Sequence, residues 1–305
     1  MIDLHRLRIF LKIADLKSFT LAARACLLTQ PTVSQHIASI EQYFGLTLFD
    51  RKGKRLKLTG AGEIVYSHAK KISLLFDELV QSVEMYKGRK TGTLLIGAST
   101  IPGECILPKV LGQLKDIIPE IKVQLSIADT EKAVQLLLDH YVDIAVVGSK
   151  LKHKRLRYSP IIKDELVLIV PQGHRWSRVA TIEIDDLKTE AVVMRESGSG
   201  TRMEMGRTLL GAGLDPAQLR VVCEVGTTMA VKESVAAGLG IAFVSKWAVV
   251  REVKQGMLNV VRIRDLIFER WFYIVQDISR TPGPICKSFE QFLRSYCRDL
   301  PAAVL

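Results

Sequence analysis

No apolar run in this chain approaches the roughly 20 residues that a helix needs to cross a bilayer. The first sixteen residues, MIDLHRLRIFLKIADL, interrupt their apolar positions with charge and lack the continuous core of a signal peptide. Cysteine is scarce: Cys26, Cys105, Cys223, Cys286 and Cys297 are odd in number and scattered, with no CxxC pair. That excludes a disulfide framework and a paired-cysteine zinc site, and predicts buried thiols in a reducing cytoplasm. Catalytic signatures are missing too. There is no HExxH, no GK[ST] after a glycine loop and no GxGxxG, and Ser199 stands in Gly198-Ser199-Gly200 instead of a GxSxG elbow. His140, His153 and His174 have no evident Ser or Cys partner. A cytoplasmic protein without catalytic residues, metal or cofactor is expected.

What is present is positive charge, unevenly placed. The 305 residues carry a formal net charge of +11. Residues 1–60 hold ten Lys/Arg against four Asp/Glu, more than half of the excess in a fifth of the length. Such a head suits a polyanionic partner. Within it, Ser18 and Thr20 offer N-caps to a short helix with Phe19, Ala22, Ala23 and Leu27 at helical spacing. Thr29 can cap a second helix, with Pro31 in its first turn. Val33, Ile37, Ile40 and Phe44 then form one stripe expected to be buried. Gln30, Thr32, Ser34, Gln35, His36 and Ser39 are left outward, polar side chains able to hydrogen-bond base edges in a major groove. An ordinary helical hairpin would share these features. The following ribbon argues otherwise: Gly53 can turn a hairpin whose tip carries Arg51, Lys52, Lys54 and Arg55 to phosphates.

Thr59 can cap the next helix, with Glu63 in its first turn. From there Gly62, Ala69, Phe76 and Val83 recur every seven residues, and Val65, Ile72, Leu79 and Tyr86 follow three later, a seam that predicts dimerisation. Gly88 to Gly92 reads as a hinge. Beyond it, candidate strands (93–98, 122–128, 142–148) alternate with helices such as 129–140, and a parallel sheet is expected. A second set has apolar runs at 165–170, 191–194, 221–225 and 240–244, with helices near 201–211 and 227–237. The run 271–275 and an amphipathic 285–299 could return the chain to the first set. Ligands of two such lobes sit at strand ends. Ser99, Thr100 and Ser149 close strands there; Ser197, Gly198, Ser199 and Thr201 lie in a loop before a helix, and Thr227 opens another. Hydroxyls, accessible backbone N–H groups and helix N-termini favour an anion.

These features together resemble a LysR-type transcriptional regulator over essentially all 305 residues. The resemblance rests on Ser18-Phe19-Thr20 with Ala22-Ala23, on Thr29 through Ile37 (TQPTVSQHI), on Leu48-Phe49-Asp50-Arg51 and on Leu58-Thr59-Gly60-Ala61-Gly62. It implies an α+β multidomain chain: a winged helix-turn-helix in 1–59 (helix-turn-helix 18–37), a linker helix and hinge in 60–90, and a two-lobed α/β, periplasmic-binding-protein-like effector domain in 91–305. The chain would cross twice between lobes, giving lobe one as 91–161 with 267–305 and lobe two as 162–266. Implied partners are double-stranded DNA, a small anionic effector and further copies of the chain, as a homodimer that assembles into homotetramers. GASTIPGECILP, DTE at 129–131, DEL at 164–166 and RESGSGTR are similar to the subgroup that controls sulfur-assimilation and carbon-fixation genes, although Asp129 stands where that subgroup commonly has Asn. A transport-type solute-binding protein, or an enzyme on the α/β half, is the alternative; the former would need a signal peptide and no basic ribbon, the latter paired acid and base groups.

Removing one of the four ribbon charges should weaken binding to all duplex sequences alike and flatten the salt dependence by about one unit of slope. Gln35→Ala should instead cost roughly 1–3 kcal/mol on the preferred site and little on random DNA, measured by titration on both. Equal losses on the two would remove Gln35 from base reading.

Overall fold

The computed structural model describes residues 2–50, 56–87 and 91–300. It divides into two compact units, residues 1–89 and 90–305. In the first, helices α1 (Leu4–Leu16), α2 (Phe19–Ala25) and α3 (Gln30–Phe44) precede a short antiparallel pair, β1 (Phe49–Asp50) and β2 (Lys57–Leu58), and a long helix α4 (Gly60–Tyr86). Local chemistry sets the boundaries. Asp3, Ser18 and Thr29 each accept a backbone N–H of the first turn of α1, α2 and α3, and Thr59 Oγ1 accepts from Gly62 N at 3.0 Å. Gly45 ends α3 at φ 66°, where a Cβ would be strained. Phe10, Ile13, Ala22, Val33, Ile37, Ile40 and Leu48 form the core.

Three expectations for this unit need correction. Thr20 lies inside α2, so Ser18 alone caps it. Leu27 falls beyond α2, at φ 56° and 93% exposed. Phe44 continues the α3 stripe but is 44% exposed, because the helix runs past the helices that cover Ile37 and Ile40. The seam of α4 is divided in the same way. Gly62 and Ala69 are buried within the unit, whereas Ile72, Phe76, Leu79, Val83 and Tyr86 are exposed, along with Leu75 and Val80. Gly62 admits no side chain: a Cβ there would lie 2.1 Å from the Leu48 carbonyl oxygen. The ribbon residues Arg51, Lys52, Gly53, Lys54 and Arg55, and Gly88–Lys90 of the expected hinge, lie outside the described residues.

The second unit begins with β3 (Gly92–Ser99), a π-helical turn (Pro102–Ile106), α5 (Leu107–Ile117), β4 (Ile121–Ala128), α6 (Thr130–Leu138) and β5 (Ile144–Val147). A 16-residue strand, β6 (Leu156–Pro171), carries the chain onward to β7 (Thr181–Ile182), β8 (Ala191–Arg195), α7 (Gly200–Gly211), β9 (Arg220–Val225), α8 (Thr228–Ala236), β10 (Ala242–Ser245), α9 (Val250–Lys254) and β11 (Leu258–Ile263). Strand β12 (Phe268–Asp277) and α10 (Pro284–Arg298) follow. The main sheet has the order β4-β3-β5-β12-β6-β11-β7, with β10 also on β6, and β8 and β9 pair separately.

The parallel sheet expected from the first set of strands is present, but the whole sheet is mixed. β3 pairs parallel with β4 and β5, but β12 runs antiparallel to β5 and β6, and β10 and β11 antiparallel to β6. The reason is topological: β6 leaves the first set of strands and β12 returns to it, so two long neighbours must point in opposite directions. Their register places Arg270 opposite Asp164 and Trp271 opposite Lys163, and it shifts beside Pro160, where a residue without an N–H is accommodated at a bulge. Among the described residues, four apolar clusters of buried residues occur in this unit, two of them large. Ile96, Leu107, Val110, Val146, Phe272, Phe289 and Leu293 belong to one, and Leu168, Trp176, Met194, Leu209, Ile241 and Phe243 to the other. Among the described residues no helix is long and apolar enough to cross a membrane.

The apolar stripe left open on α4 is expected to carry self-association. Leu79→Asp should leave the residue 1–90 fragment folded, since Leu79 is 57% exposed, but monomeric in sedimentation, because a seam cannot bury an unpartnered charge cheaply. A dimer unchanged by this substitution would place the interface elsewhere.

Candidate functional site

Two places gather the residues singled out from the sequence. In α3, Gln30 and Gln35 are exposed; Thr32, Ser34, His36 and Ser39 are half-buried. Thr32 Oγ1 lies 2.8 Å from Thr29 Oγ1, beside the cap. The ring of His36 meets that of His5 edge-on at 5.6 Å. Ser39 Oγ accepts from Arg6 Nη1 at 3.0 Å, so its hydroxyl is engaged with α1 instead of standing free. Arg51, Lys52, Lys54 and Arg55 are not among the described residues.

The second place is a cavity in the α/β unit where strand ends and helix N-termini meet. It is lined by Ser99, Thr100 and Ile101 after β3, Asp129 and Thr130 at the start of α6, Arg195 at the end of β8, Ser199, Gly200 and Thr201 at the start of α7, and Arg270 of β12. Its volume is ≈ 10 Å³, room for about one water. Two glycines allow this closeness. A Cβ on Gly200 would stand 2.7 Å from Thr130 Oγ1, and one on Gly198 3.0 Å from Asp129 Oδ1.

Of the eight residues expected here, Ser99, Thr100, Ser199 and Thr201 line the cavity. Ser199 is 2% exposed and occupies the N-cap position of α7 without a side-chain capping bond, so its hydroxyl is not consumed by the helix. Gly198 packs on Asp129 just behind the wall. The other three are placed differently. Ser149 is buried, but its Oγ donates to Glu204 Oε1 at 2.6 Å. Ser197 is exposed. Thr227 is an exposed cap that accepts from Ala230 N, and the inward residue is its neighbour Thr228, which accepts from Arg195 Nη1 at 2.8 Å.

Two guanidinium groups were not among the expected contacts: Arg195, although it opens the RESGSGTR run, and Arg270, which sequence reasoning missed altogether. Arg195 is 5% exposed; it donates to both oxygens of Glu196 (2.7 and 2.6 Å) and to Thr100 Oγ1 (3.4 Å). Arg270 is also 5% exposed; its Nε donates to Asp164 Oδ2 at 2.7 Å and its Nη1 to Thr201 Oγ1 at 3.3 Å. Its Nη2, and Thr130 Oγ1, are buried without a hydrogen-bond partner among the described residues. Strand alternation carries the signal for Arg270: Phe268, Phe272 and Ile274 are buried on the same face, so a charge between them is interior.

Burial pushes the Asp129 carboxyl up, but hydrogen bonds from the Lys132 side chain and backbone outweigh it and hold it below its usual value. Asp164 is the reverse: burial dominates, and Arg270 and Ser245 do not bring it back to the ordinary range. The thiols of Cys105 and Cys297 are pushed up to about 11 by burial, which leaves them protonated and unreactive. No cluster of three or more His, Cys, Asp or Glu that could hold a metal ion occurs among the described residues.

The head matches the bacterial regulatory helix-turn-helix protein, lysR family, over residues 4–63, and the α/β unit the LysR substrate binding domain over 87–298. A probable RuBisCO transcriptional regulator of Cyanophora paradoxa is 31% identical over 303 residues, covering 98% of this chain and 94% of that protein. An uncharacterized HTH-type transcriptional regulator of Methanocaldococcus jannaschii is 34% identical over 284 residues, covering 93% and 96%. Among solved structures, the Synechocystis PCC6803 CcmR regulatory domain in complex with 2-PG is 26% identical, with a TM-score of 0.64 over 70% of this chain and 100% of that one. Full-length CbnR complexed with its target DNA is 20% identical, with a TM-score of 0.70 over 96% and 99%. A lysR-family DNA-binding head and a LysR substrate binding domain, in that order and spanning nearly all of the chain, make this protein a member of the LysR family of transcriptional regulators.

Proposed function

We propose that this regulator is switched by a small anion bound in the cavity between α6, α7 and the β12 strand, and that it acts in the cytoplasm without catalysing a reaction or holding a cofactor. One observation carries the reading. Thr130 Oγ1 and Arg270 Nη2 are both buried, both lack a partner among the described residues, and both belong to residues that line one small cavity. Leaving such groups unsatisfied costs on the order of 1–3 kcal/mol each, a cost that an anion accepting from both would recover. Ser99, Thr100, Ser199 and Thr201 add hydroxyl donors around it.

The cavity holds about one water, so a larger anion enters only if its walls part. Binding is then coupled to the arrangement of the two halves, and an effector that fits one arrangement better shifts the population toward it. The 2-PG bound by the related CcmR regulatory domain supports a small ligand in this class of domain. Relatives named as probable RuBisCO regulators support carbon-fixation genes as the target class. In the head, Gln30, Thr32, Ser34, Gln35 and His36 of α3 would read base edges, with Arg51, Lys52, Lys54 and Arg55 on the phosphates. The likeness to CbnR in complex with its target DNA supports that assignment.

A thermal-shift screen of small anions on the full chain tests the reading, since a specific ligand stabilises by mass action. Thr130→Val then separates binding from folding. Replacing an unpartnered buried hydroxyl by a methyl should leave the melting temperature unchanged or raise it, while affinity for the anion falls about five- to tenfold. Parental affinity in Thr130→Val would move the site away from α6.

A further inference from the structure

The anion cavity contains a group that a plain anion would avoid. Asp129 lines it, 9% exposed, at the N-cap of the nine-residue helix α6. Its Oδ1 accepts from Lys132 N at 2.8 Å and its Oδ2 from Lys132 Nζ at 2.8 Å. A carboxylate has about four lone-pair positions, so two acceptor sites remain. The opposite requirement comes from Arg270 Nη2 and from Thr130 Oγ1, which is fully buried; both line the same cavity, and neither has a partner among the described residues.

A cavity with unspent donors on one side and an acceptor-only group on the other asks for a ligand with both kinds of end. We infer that Asp129 selects the effector, and that the effector is an anion bearing a hydroxyl or amino donor next to its acidic group. The acid meets Arg270 and Thr130, and the donor meets Asp129. Resting on the anion reading proposed above, this narrows the ligand class. The physical basis is asymmetry: an anion without a donor cannot use the two remaining acceptor sites of the Asp129 carboxylate and is repelled by its charge, whereas one with a donor turns them into a charge-assisted hydrogen bond. Sites built to bond a ligand hydroxyl reject the analogue that lacks it far more strongly than apolar pockets reject a missing methyl.

The test uses matched pairs that differ in the donor: lactate against propionate, malate against succinate, and glycerol 3-phosphate against propyl phosphate, titrated calorimetrically into the full-length protein. At least one donor-bearing member should bind about tenfold tighter than its partner. Asp129→Asn keeps a good helix cap and a side chain of the same shape. It should weaken the donor-bearing member and tighten the donor-free one, so that the preference disappears. Asp129→Ser, which also caps but leaves no second acceptor, should do the same. A role confined to capping would weaken both members together, and that result overturns the inference. So would equal binding of both members by the parent, or a preference that survives both substitutions, although each leaves the anion site itself intact. If no anion from any pair or from the wider screen binds, the underlying reading of the cavity fails and the inference with it.

Discussion

Asp164 and Arg270 face each other across β6 and β12 with 2.7 Å between Oδ2 and Nε, their side chains 0% and 3% exposed. The pair joins β6 and β12 to the start of α7 and to the end of β10 through Thr201 and Ser245. Taking two charges out of water costs several kcal/mol per ion, and their attraction offsets this only when the geometry is good and the remaining valences are met. Ser245 Oγ donates to the second carboxylate oxygen at 2.7 Å, and Thr201 takes one guanidinium nitrogen. The net contribution to stability is therefore modest, but losing one partner would strand the other at a cost of about 3–5 kcal/mol. What the pair secures is position. It sits on the two strands that carry the chain out and back, touches α7 through Thr201, and holds Arg270 where it lines the cavity.

The walls of the cavity approach each other by the same logic of fixed polar contacts. Ser149 and Glu204 join the end of the β5 segment to α7, Arg195 reaches Thr100, and Gly198 and Gly200 remove the side chains that would keep the loop away from α6. Each is a short-range, directional interaction and none is a broad apolar surface. An arrangement held this way would have few intermediate positions, because directional bonds are lost over a short displacement. That suits a domain whose output is a choice between two states.

Local chemistry was legible in the sequence and long-range partnership was not. Ser18, Thr29 and Thr59 cap the helices anticipated from them, because a cap concerns residues two or three apart. Ser99, Thr100, Ser199 and Thr201 meet at one cavity for a related reason, the habit of open sheets to gather ligands at strand ends. Periodicity showed which face of α3 and α4 is apolar but not how far the neighbouring helices extend, so Phe44 and the later part of the α4 seam lie open. The parallel set of β3, β4 and β5 was legible, but the mixed character of the whole sheet was not, because the first half of β6 contains Arg157, Ser159, Pro160 and Lys163, whose composition conceals a strand. Arg270 escaped notice since its meaning depends on Asp164, 106 positions away. Ser149 was already committed to Glu204, which no motif announces. Thr227 and Thr228 differ by one residue, yet the turn of the helix puts the first in solvent and the second against Arg195.

The divided stripe on α4, taken as the self-association surface, would tie the activity of this protein to its abundance. Leu75, Phe76, Leu79, Val80 and Val83 show water a band of apolar side chains in the single chain, a surface that a second copy would complete if α4 carries the self-association proposed for it. Its lifetime in that form would be set by how soon it meets a second copy, a wait that lengthens in proportion to dilution. At low expression the cell would hold fewer assembled regulators than a proportional count of chains suggests, and the midpoint of any response would drift with synthesis rate. Dose, not only effector, would then be an input to the switch.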